Sequence, residues 1–324
     1  MQARAVRMAA QGGPEVLKIE DVSLPDPSEG EVLIRQTVVG VNYLDVYHRS
    51  GFYKLPMPGG VGSEAAGVVE QAGPNVDLKA GDRVAYGGGA PGSYASHRIM
   101  PASRVVKVPV DVSDELAAAV MLKGMTVEYL LQRCYPLRAG EHALFYAAAG
   151  GVGLLAGQWG CHIGARMIGV ASGAEKCRLA KDHGYAEVID RTREDVVARV
   201  KELTAGAGVP VVYDSVGKAT FEASINSLRP RGYFVSFGTT TGAPPPVEAG
   251  LLQKRGSLYF TRPTLVTYTA SREDLVSSAT AVFDMLKKGA IKVHIGARYP
   301  LAEAARAHAD LEAGNTVGSS LLVP

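Results

Sequence analysis

Cysteine is scarce: Cys134, Cys161 and Cys177 are the only three in 324 residues. They lie far apart with no CxxC pair, which excludes a structural zinc knuckle built on thiolates. Cys161 and Cys177 fall on helical patterns and read as small apolar fillers. Long apolar runs are missing too. None reaches the ~18 residues of a membrane span, and the stretch from Met1 to Val16 lacks the apolar core of a signal peptide. A cytoplasmic protein is expected. Charge of one sign is also missing: 34 Lys and Arg against 32 Asp and Glu leave a net charge of +2. That balance offers no electrostatic case for nucleic acid or an anionic membrane. The seven His are scattered. His48, His97 and His162 read as structural or surface residues, and neither a Ser-His-Asp set nor paired carboxylates stand out.

The residues that are present suffice for two domains and a large core: 47% of the chain is apolar and 20% charged. Its organising stretch runs from His142 to Ile163. His142 to Tyr146 is a short apolar run that reads as a buried strand. Ala147-Ala148-Ala149-Gly150-Gly151-Val152-Gly153 is a turn of small residues. Leu154, Leu155, Gln158 and Trp159 then start a helical pattern. A dinucleotide pyrophosphate needs this order, because backbone N–H groups must come close to the phosphates and side chains would block them. The helix N-terminus adds its partial positive charge. The glycines are displaced from the usual G-x-G-x-x-G: the turn reads A-x-x-G-x-x-G on Ala147, Gly150 and Gly153, and Gly151-x-Gly153-x-x-Ala156 fits as well. A second apolar strand, Met167 to Ala171, follows at the distance of a βαβ unit.

From Ala3 to about Val108 the pattern is mostly short strands: Glu31–Val41, Glu64–Ala72, Arg83–Tyr86, Ser93–Met100 and Arg104–Val108. Turn signals such as Gly73-Pro74-Asn75 separate them, and Val41–Arg49 is a helical interruption. From Asp114 the period changes. Asp114 is expected to cap a helix to about Val120, with a second helix over Lys123–Tyr135. Strands and helices then alternate, which predicts a doubly wound parallel sheet of about six strands ending at Ser257–Phe260. Arg272–Lys288 and Leu301–Ala313 read as helices and Ser319–Val323 as a strand. That tail is too little for a domain of its own, so it should return to complete the first one. Residues 1–122 plus 263–324 would form one domain and 123–262 the other, with ligand in the cleft between them.

At this point several segments carry a family likeness: Gly40-Val41-Asn42-Tyr43-Leu44-Asp45, Gly62-Ser63-Glu64-Ala65-Ala66-Gly67, Lys123-Gly124-Met125-Thr126, Ala147 to Gly153, Asp214-Ser215-Val216-Gly217, Gly256-Ser257-Leu258 and Gly318-Ser319-Ser320-Leu321-Leu322. In these segments the chain resembles the zinc-free, zeta-crystallin-like quinone oxidoreductases of the medium-chain dehydrogenase/reductase superfamily. The resemblance implies an α/β protein, a Rossmann-type domain inserted in a GroES-like β-rich catalytic domain. It also implies NADPH as cofactor, a quinone as small-molecule substrate and a homodimer. In the superfamily the edge strand of the nucleotide domain often pairs across the two-fold, and Ser257–Phe260 is the candidate. Two alternatives stay open: NADPH-dependent reduction of an activated C=C bond in an enone or alkenal, and a crystallin-like structural or RNA-binding role. The low net charge speaks against RNA.

The resemblance also locates chemistry. Zinc-bearing relatives place a Cys and a His where this chain has Asn42 and Ser63, and an amide and a hydroxyl are poor zinc ligands beside thiolate and imidazole. No metal ligand is expected. Asp45 and Glu64 are assigned to hydrogen bonds with backbone and neighbouring turns. A quinone accepts hydride readily, so a hydrogen bond and a proton source suffice; Asn42, Tyr47 and Tyr53 are the polar candidates. Asn42, Lys123 and Thr126 are expected near the nicotinamide and its ribose. Ala147, Gly150, Gly151, Val152 and Gly153 should cradle the pyrophosphate. NAD-binding folds carry an acid at the end of the second strand, but here Val170-Ala171 run into Ser172 and Gly173, leaving room for a 2′-phosphate. Lys176 and Arg191 can pair with it. The family often has Tyr where Arg191 stands. Glu175 lies close enough to oppose an NADPH preference if it faces the ribose, and a basic residue that relatives carry near the C-terminus is replaced within Glu312 to Asn315. Ser215, Phe237, Gly238, Thr239, Phe260 and Thr261 sit at C-terminal strand ends, the ligand edge of open α/β sheets.

Overall fold

The structure, a computed structural model, describes all residues 1–324. The chain divides into two compact units. Met1–Met125, Tyr268–Lys287 and Val293–Pro324 form the first; Thr126–Thr267 and Lys288–Lys292 form the second. The sequence-based boundaries lay at 122/123 and 262/263.

The first unit is built on Glu31–Val41, an 11-residue strand. Val32, Ile34, Val39 and Val41 are buried on it, so it reads as interior rather than edge. It pairs antiparallel with Glu64–Ala72 on one side, and with His97–Pro101 and Ser319–Val323 elsewhere along its length. The strand Ser319–Val323 brings the tail back into this unit and also pairs in parallel with Ile295–Pro300. That last strand was not foreseen. Three of its six residues are arginine, glycine or proline, so it carries no clean alternation. The expected Ser93–Met100 strand shortens to His97–Pro101. The expected Leu301–Ala313 helix opens as a 3-10 turn, Leu301–Glu303, behind Pro300 and becomes α-helical only over Ala304–Glu312.

Asp114–Glu128 is one helix, extended by a π turn over Tyr129–Cys134, where two helices were expected. Every residue from Ala117 to Leu131 is buried. A helix buried all round has no one-sided apolar stripe, so periodicity offers nothing to mark its continuity. Asp114 does not cap it. Ser113 Oγ accepts from the Leu116 N–H at 3.2 Å, while the Asp114 carboxylate accepts from Thr37 Oγ1 at 2.7 Å and Arg83 Nε at 2.9 Å. A tertiary charge pair won over the local cap.

The second unit is a six-stranded parallel sheet in the spatial order Glu187–Asp190, Arg166–Ala171, His142–Tyr146, Val209–Asp214, Leu228–Ser236 and Tyr259–Thr261. Val209–Asp214 is buried along its whole length, as a strand covered by helices on both faces must be. The edge strand begins at Tyr259 because Ser257 takes φ 57° behind Gly256, a left-handed step no strand accommodates. Leu144, Ile168, Val170, Ile189, Val212 and Phe234 fill the core.

In the first unit, Leu322 is fully buried on the returning strand opposite Val39. Leu322→Ala should lower the unfolding free energy by about 2–5 kcal/mol, measured by urea denaturation. A loss below about 0.5 kcal/mol would mean that the tail is not part of that core.

Candidate active site and nucleotide cradle

In the first unit a buried carboxylate gathers the polar residues that the sequence singled out. Glu64 is fully buried at the start of its strand. Its Oε1 accepts from the Leu122 N–H at 2.6 Å, and its Oε2 accepts from Asn42 Nδ2 at 2.9 Å and Lys123 Nζ at 3.0 Å. Asn42 and Lys123, 81 residues apart in sequence, thus meet on one oxygen. Thr126, buried one turn beyond Lys123, lies on the same helix. Removing one partner of the Lys123–Glu64 pair would leave a buried charge uncompensated, at about 3–5 kcal/mol.

A second buried carboxylate stands beside it. Asn42 precedes the helix Tyr43–Ser50, and Asp45 in its first turn accepts from the Asn42 N–H at 2.9 Å, half of a capping box. Asp45 also accepts from Ser63 Oγ at 2.8 Å and lies 3.1 Å from the Tyr94 hydroxyl, which is 2.9 Å from His308 Nε2. Burial pushes the Asp45 carboxyl up to about 7, against the lowering pull of Ser63, the Asn42 amide, Tyr94 and the charge of Lys123. Burial, with the Arg49 charge nearby, pushes His308 down to about 3. The Tyr94 hydroxyl donates to Asp45 Oδ2, which leaves its oxygen to accept from the Nε2–H of neutral His308. Asp45 and Glu64 therefore hold a helix start and a helix flank in place.

Tyr47 and Tyr53, the other catalytic candidates, form an aromatic cluster. Their ring centroids are 5.5 Å apart, and Phe52 lies 5.1 Å from each. Tyr47 is buried, whereas Phe52 and Tyr53 are exposed. Gln11 Nε2 donates to the carbonyls of His48 and Tyr53, both at 2.9 Å, which fixes the loop carrying them. Sequence reading missed Gln11, Tyr94 and His308, which act through long-range contacts, and Phe52, which packs locally against Tyr47 and Tyr53.

In the second unit the bend after His142–Tyr146 has the shape a pyrophosphate requires. Ala147 adopts φ 55° and reverses the chain. Gly150 precedes the helix Gly151–Ile163, whose first internal bond is Leu154 N–H to Gly150 O at 2.9 Å. The amides of Gly151, Val152 and Gly153 in that first turn are the helix's unpaired donors. A Cβ at Gly153 would sit 2.3 Å from the Ala147 carbonyl oxygen, so only glycine allows this close packing. These residues fit a dinucleotide.

The remaining candidates line the same carboxyl edge of the sheet. Ser172 and Gly173 follow Arg166–Ala171, and no acid stands there. Arg191 follows Glu187–Asp190, and its Nε donates to Ser172 Oγ at 2.6 Å. Lys176 is in the first turn of the helix Ala174–Asp182. Ser215 and Phe237 stand together beyond two neighbouring strands: the Phe237 N–H donates to Asp214 O at 2.8 Å, and the Thr240 N–H to Ser215 O at 3.2 Å. Gly238 and Thr239 complete that loop, and Phe260 and Thr261 end the edge strand. The buried Asp214 carboxylate accepts from the amides of Val216 and Gly217 and the hydroxyls of Thr220 and Ser224 at 2.6–3.0 Å, which freezes the Asp214–Gly217 turn. No three His, Cys, Asp or Glu side chains gather in a metal-binding group.

A parallel sheet in this order with a phosphate bend of small residues, together with a second, mostly antiparallel unit, defines a medium-chain dehydrogenase/reductase. Residues 28–110 match the alcohol dehydrogenase GroES-like domain and residues 151–285 the zinc-binding dehydrogenase domain. Within that superfamily the chain belongs to the quinone oxidoreductases. It is 48% identical to the quinone oxidoreductase of Pseudomonas aeruginosa, over 99% of this chain and 100% of that one. The solved Escherichia coli quinone oxidoreductase complexed with NADPH is 44% identical, covers 99% of this chain and 100% of its own, and superposes with a TM-score of 0.97. A 2-haloacrylate reductase from Burkholderia is 39% identical over 97% of each chain.

The Asp45 site sets a pH dependence. With a folded pKa near 7 against 3.8 for the free group, the native state holds a proton that the unfolded chain releases, so this group's contribution falls as pH rises between those values. The depressed His308 works in the opposite sense below its free value of 6.5. Asp45→Asn removes the first term alone. Relative to wild type, the variant should gain stability from pH 5 to pH 8, by at most about 1.4 kcal/mol per pH unit, in denaturant titrations. A wild-type-minus-variant difference that is flat with pH would show Asp45 to be ionised throughout.

Proposed function

We propose that this chain is an NADPH-dependent quinone oxidoreductase that works without a catalytic metal. The observation that carries the reading is the Asn42–Glu64–Lys123 cluster, with Asn42 and Ser63 standing where zinc-bearing relatives have thiolate and imidazole. When bound, NADPH supplies the hydride. The chain's own residues do the rest. The bend from Ala147 through Gly150, Gly151, Val152 and Gly153 holds the pyrophosphate through its amides. Ser172, Gly173, Lys176 and Arg191 hold the 2′-phosphate. Thr126, Ser215, Phe237, Gly238, Thr239, Phe260 and Thr261 hold the remainder of the dinucleotide by backbone contact and ring packing.

Hydride addition to a quinone carbonyl develops negative charge on oxygen. Donors fixed in place before the reaction stabilise that charge at no reorganisation cost. Asn42 Nδ2 spends one hydrogen on Glu64 and keeps the other for the oxygen; Lys123 keeps two. A quinone product anion is delocalised, so its carbonyl needs less polarisation than that of a simple ketone, and these donors suffice. Tyr47 and Tyr53 supply a proton or stack on the flat ring.

A second reading has one specific support. The Burkholderia relative is named for reduction of a 2-haloacrylate, whose C=C bond is activated by a neighbouring carboxylate, so the same cofactor and fold serve alkene reduction. Steady-state assays with 1,4-benzoquinone, 9,10-phenanthrenequinone, a simple enone and 2-chloroacrylate separate the two. Quinones should give the highest kcat/KM, and a preference for the alkenes would replace the first reading by the second. A structural or RNA-binding role predicts saturable RNA retention on filters at physiological salt, which the net charge of +2 argues against. No helix is long and apolar enough to cross a membrane. We further propose a cytoplasmic homodimer paired through the edge strand Tyr259–Thr261, which light scattering tests directly.

Two substitutions test the site. Asn42→Ala should cut kcat/KM for quinone about tenfold to a hundredfold, mostly in kcat. Arg191→Gln should raise the KM for NADPH about tenfold and leave that for NADH nearly unchanged. Equal use of NADH and NADPH by the wild type would overturn the cofactor assignment.

A further inference from the structure

Asp190 ends the third strand of the parallel sheet, directly beside Ala171 at the end of the second. Its carboxylate is thus one strand away from where NAD-binding folds keep the acid that grips the ribose hydroxyls. It faces a different task. Oδ1 accepts three hydrogen bonds: from the Gly173 N–H at 2.9 Å, the Thr192 N–H at 3.0 Å and Thr192 Oγ1 at 2.7 Å. These donors, the Thr192 hydroxyl first among them, hold the carboxyl below its ordinary range, so it is ionised at neutral pH. The Asp190 N–H is itself tied to Glu194 Oε1 at 2.9 Å.

The consequences reach both sides of the corner. Gly173 stands at φ 84°, ψ 154°, a conformation open to glycine and to little else, and it launches the helix that carries Lys176. Nothing surrounds it sterically: a Cβ built there meets no atom within 4 Å. What fixes this turn is its bond to Asp190. On the other side, Thr192 follows Arg191, whose own N–H donates to Ala171 O at 3.0 Å and whose Nε donates to Ser172 Oγ at 2.6 Å. One carboxylate therefore ties together the two turns that carry Ser172, Lys176 and Arg191.

We infer that Asp190 is a positioning residue for the adenosine 2′-phosphate: it acts through Gly173 and Thr192 to hold Ser172, Arg191 and the start of the Ala174–Asp182 helix as a preformed anion cradle. The inference rests on the NADPH reading above. It assigns a carboxylate at this corner to favouring a phosphate, the opposite of the sign its charge alone suggests, because preorganised donors cost the ligand no ordering entropy.

Calorimetric titration of the intact protein with NADP+ and with NAD+ tests this without any turnover. Asp190→Ala should weaken NADP+ about tenfold, the worth of one charge-assisted hydrogen-bond set, and change NAD+ by less than about twofold. Asp190→Asn, whose amide oxygen accepts the same bonds, should restore most of the NADP+ affinity. Thr192→Val, which removes only the hydroxyl donor at a surface turn, should give a partial loss in the same direction, and thermal melts confirm that each variant is folded. In a double-mutant cycle, Asp190→Ala and Arg191→Ala should be non-additive, since the first acts through the second. Equal losses for NADP+ and NAD+, an unchanged ratio, or strict additivity would each overturn the inference while leaving the NADPH reading intact. A wild type that binds NAD+ as tightly as NADP+ would overturn both.

Discussion

The Glu64 carboxylate is the constraint on which the first unit's polar centre depends. A charge with no exposed surface must be compensated on the spot, and three donors from two segments do so: the side-chain amide before one helix, and a backbone N–H and the neighbouring ammonium on another. Losing any one of them is costly, so Asn42 and Lys123 are both held to this carboxylate. Asp45 repeats the device one step away, joining Ser63, the Asn42 amide and Tyr94. The chemistry that results is donor chemistry. Amide and ammonium hydrogens are presented from a rigid frame, and a thiolate or imidazole ligand set is replaced by residues that can bind an oxyanion.

The second unit solves a different problem with backbone. Parallel strands buried on both faces end at a common edge, and each end turns into a loop that must place amides, not side chains. Ala147 in the left-handed region and Gly153 packed against a carbonyl give the phosphate bend its shape. The neighbouring loops are fixed by carboxylates used as acceptors of backbone hydrogen bonds, Asp214 at one strand end and Asp190 at another. In both, an acid that looks hostile to a phosphorylated ligand is spent on the loop's own amides.

The two devices share a logic. Each uses a short-range, strongly directional interaction to remove conformational freedom from a polar group that a ligand would otherwise have to order. The relatives extend the point: enzymes named for quinones and for a haloacrylate share this frame at 39–48% identity.

Much was legible in the sequence because much is local. The run from His142 to Ile163 carries its strand, bend and helix in consecutive residues, the alternation that follows fixes a parallel sheet, and the missing acid after Ala171 is visible by position. Ser172 and Arg191 were marked as one site from their strand ends, and they are hydrogen-bonded. What the sequence could not decide was which polar groups find one another across long separations. Nothing local says that Asp114 takes Arg83 and Thr37 rather than its own helix, that Glu64 collects Lys123, or that Tyr94 reaches His308. Nor does a helix buried on every face announce that it is one piece. Pattern and propensity act over a few residues and determine elements; burial makes every unpaired charge costly, and only the folded chain decides which partner removes that cost.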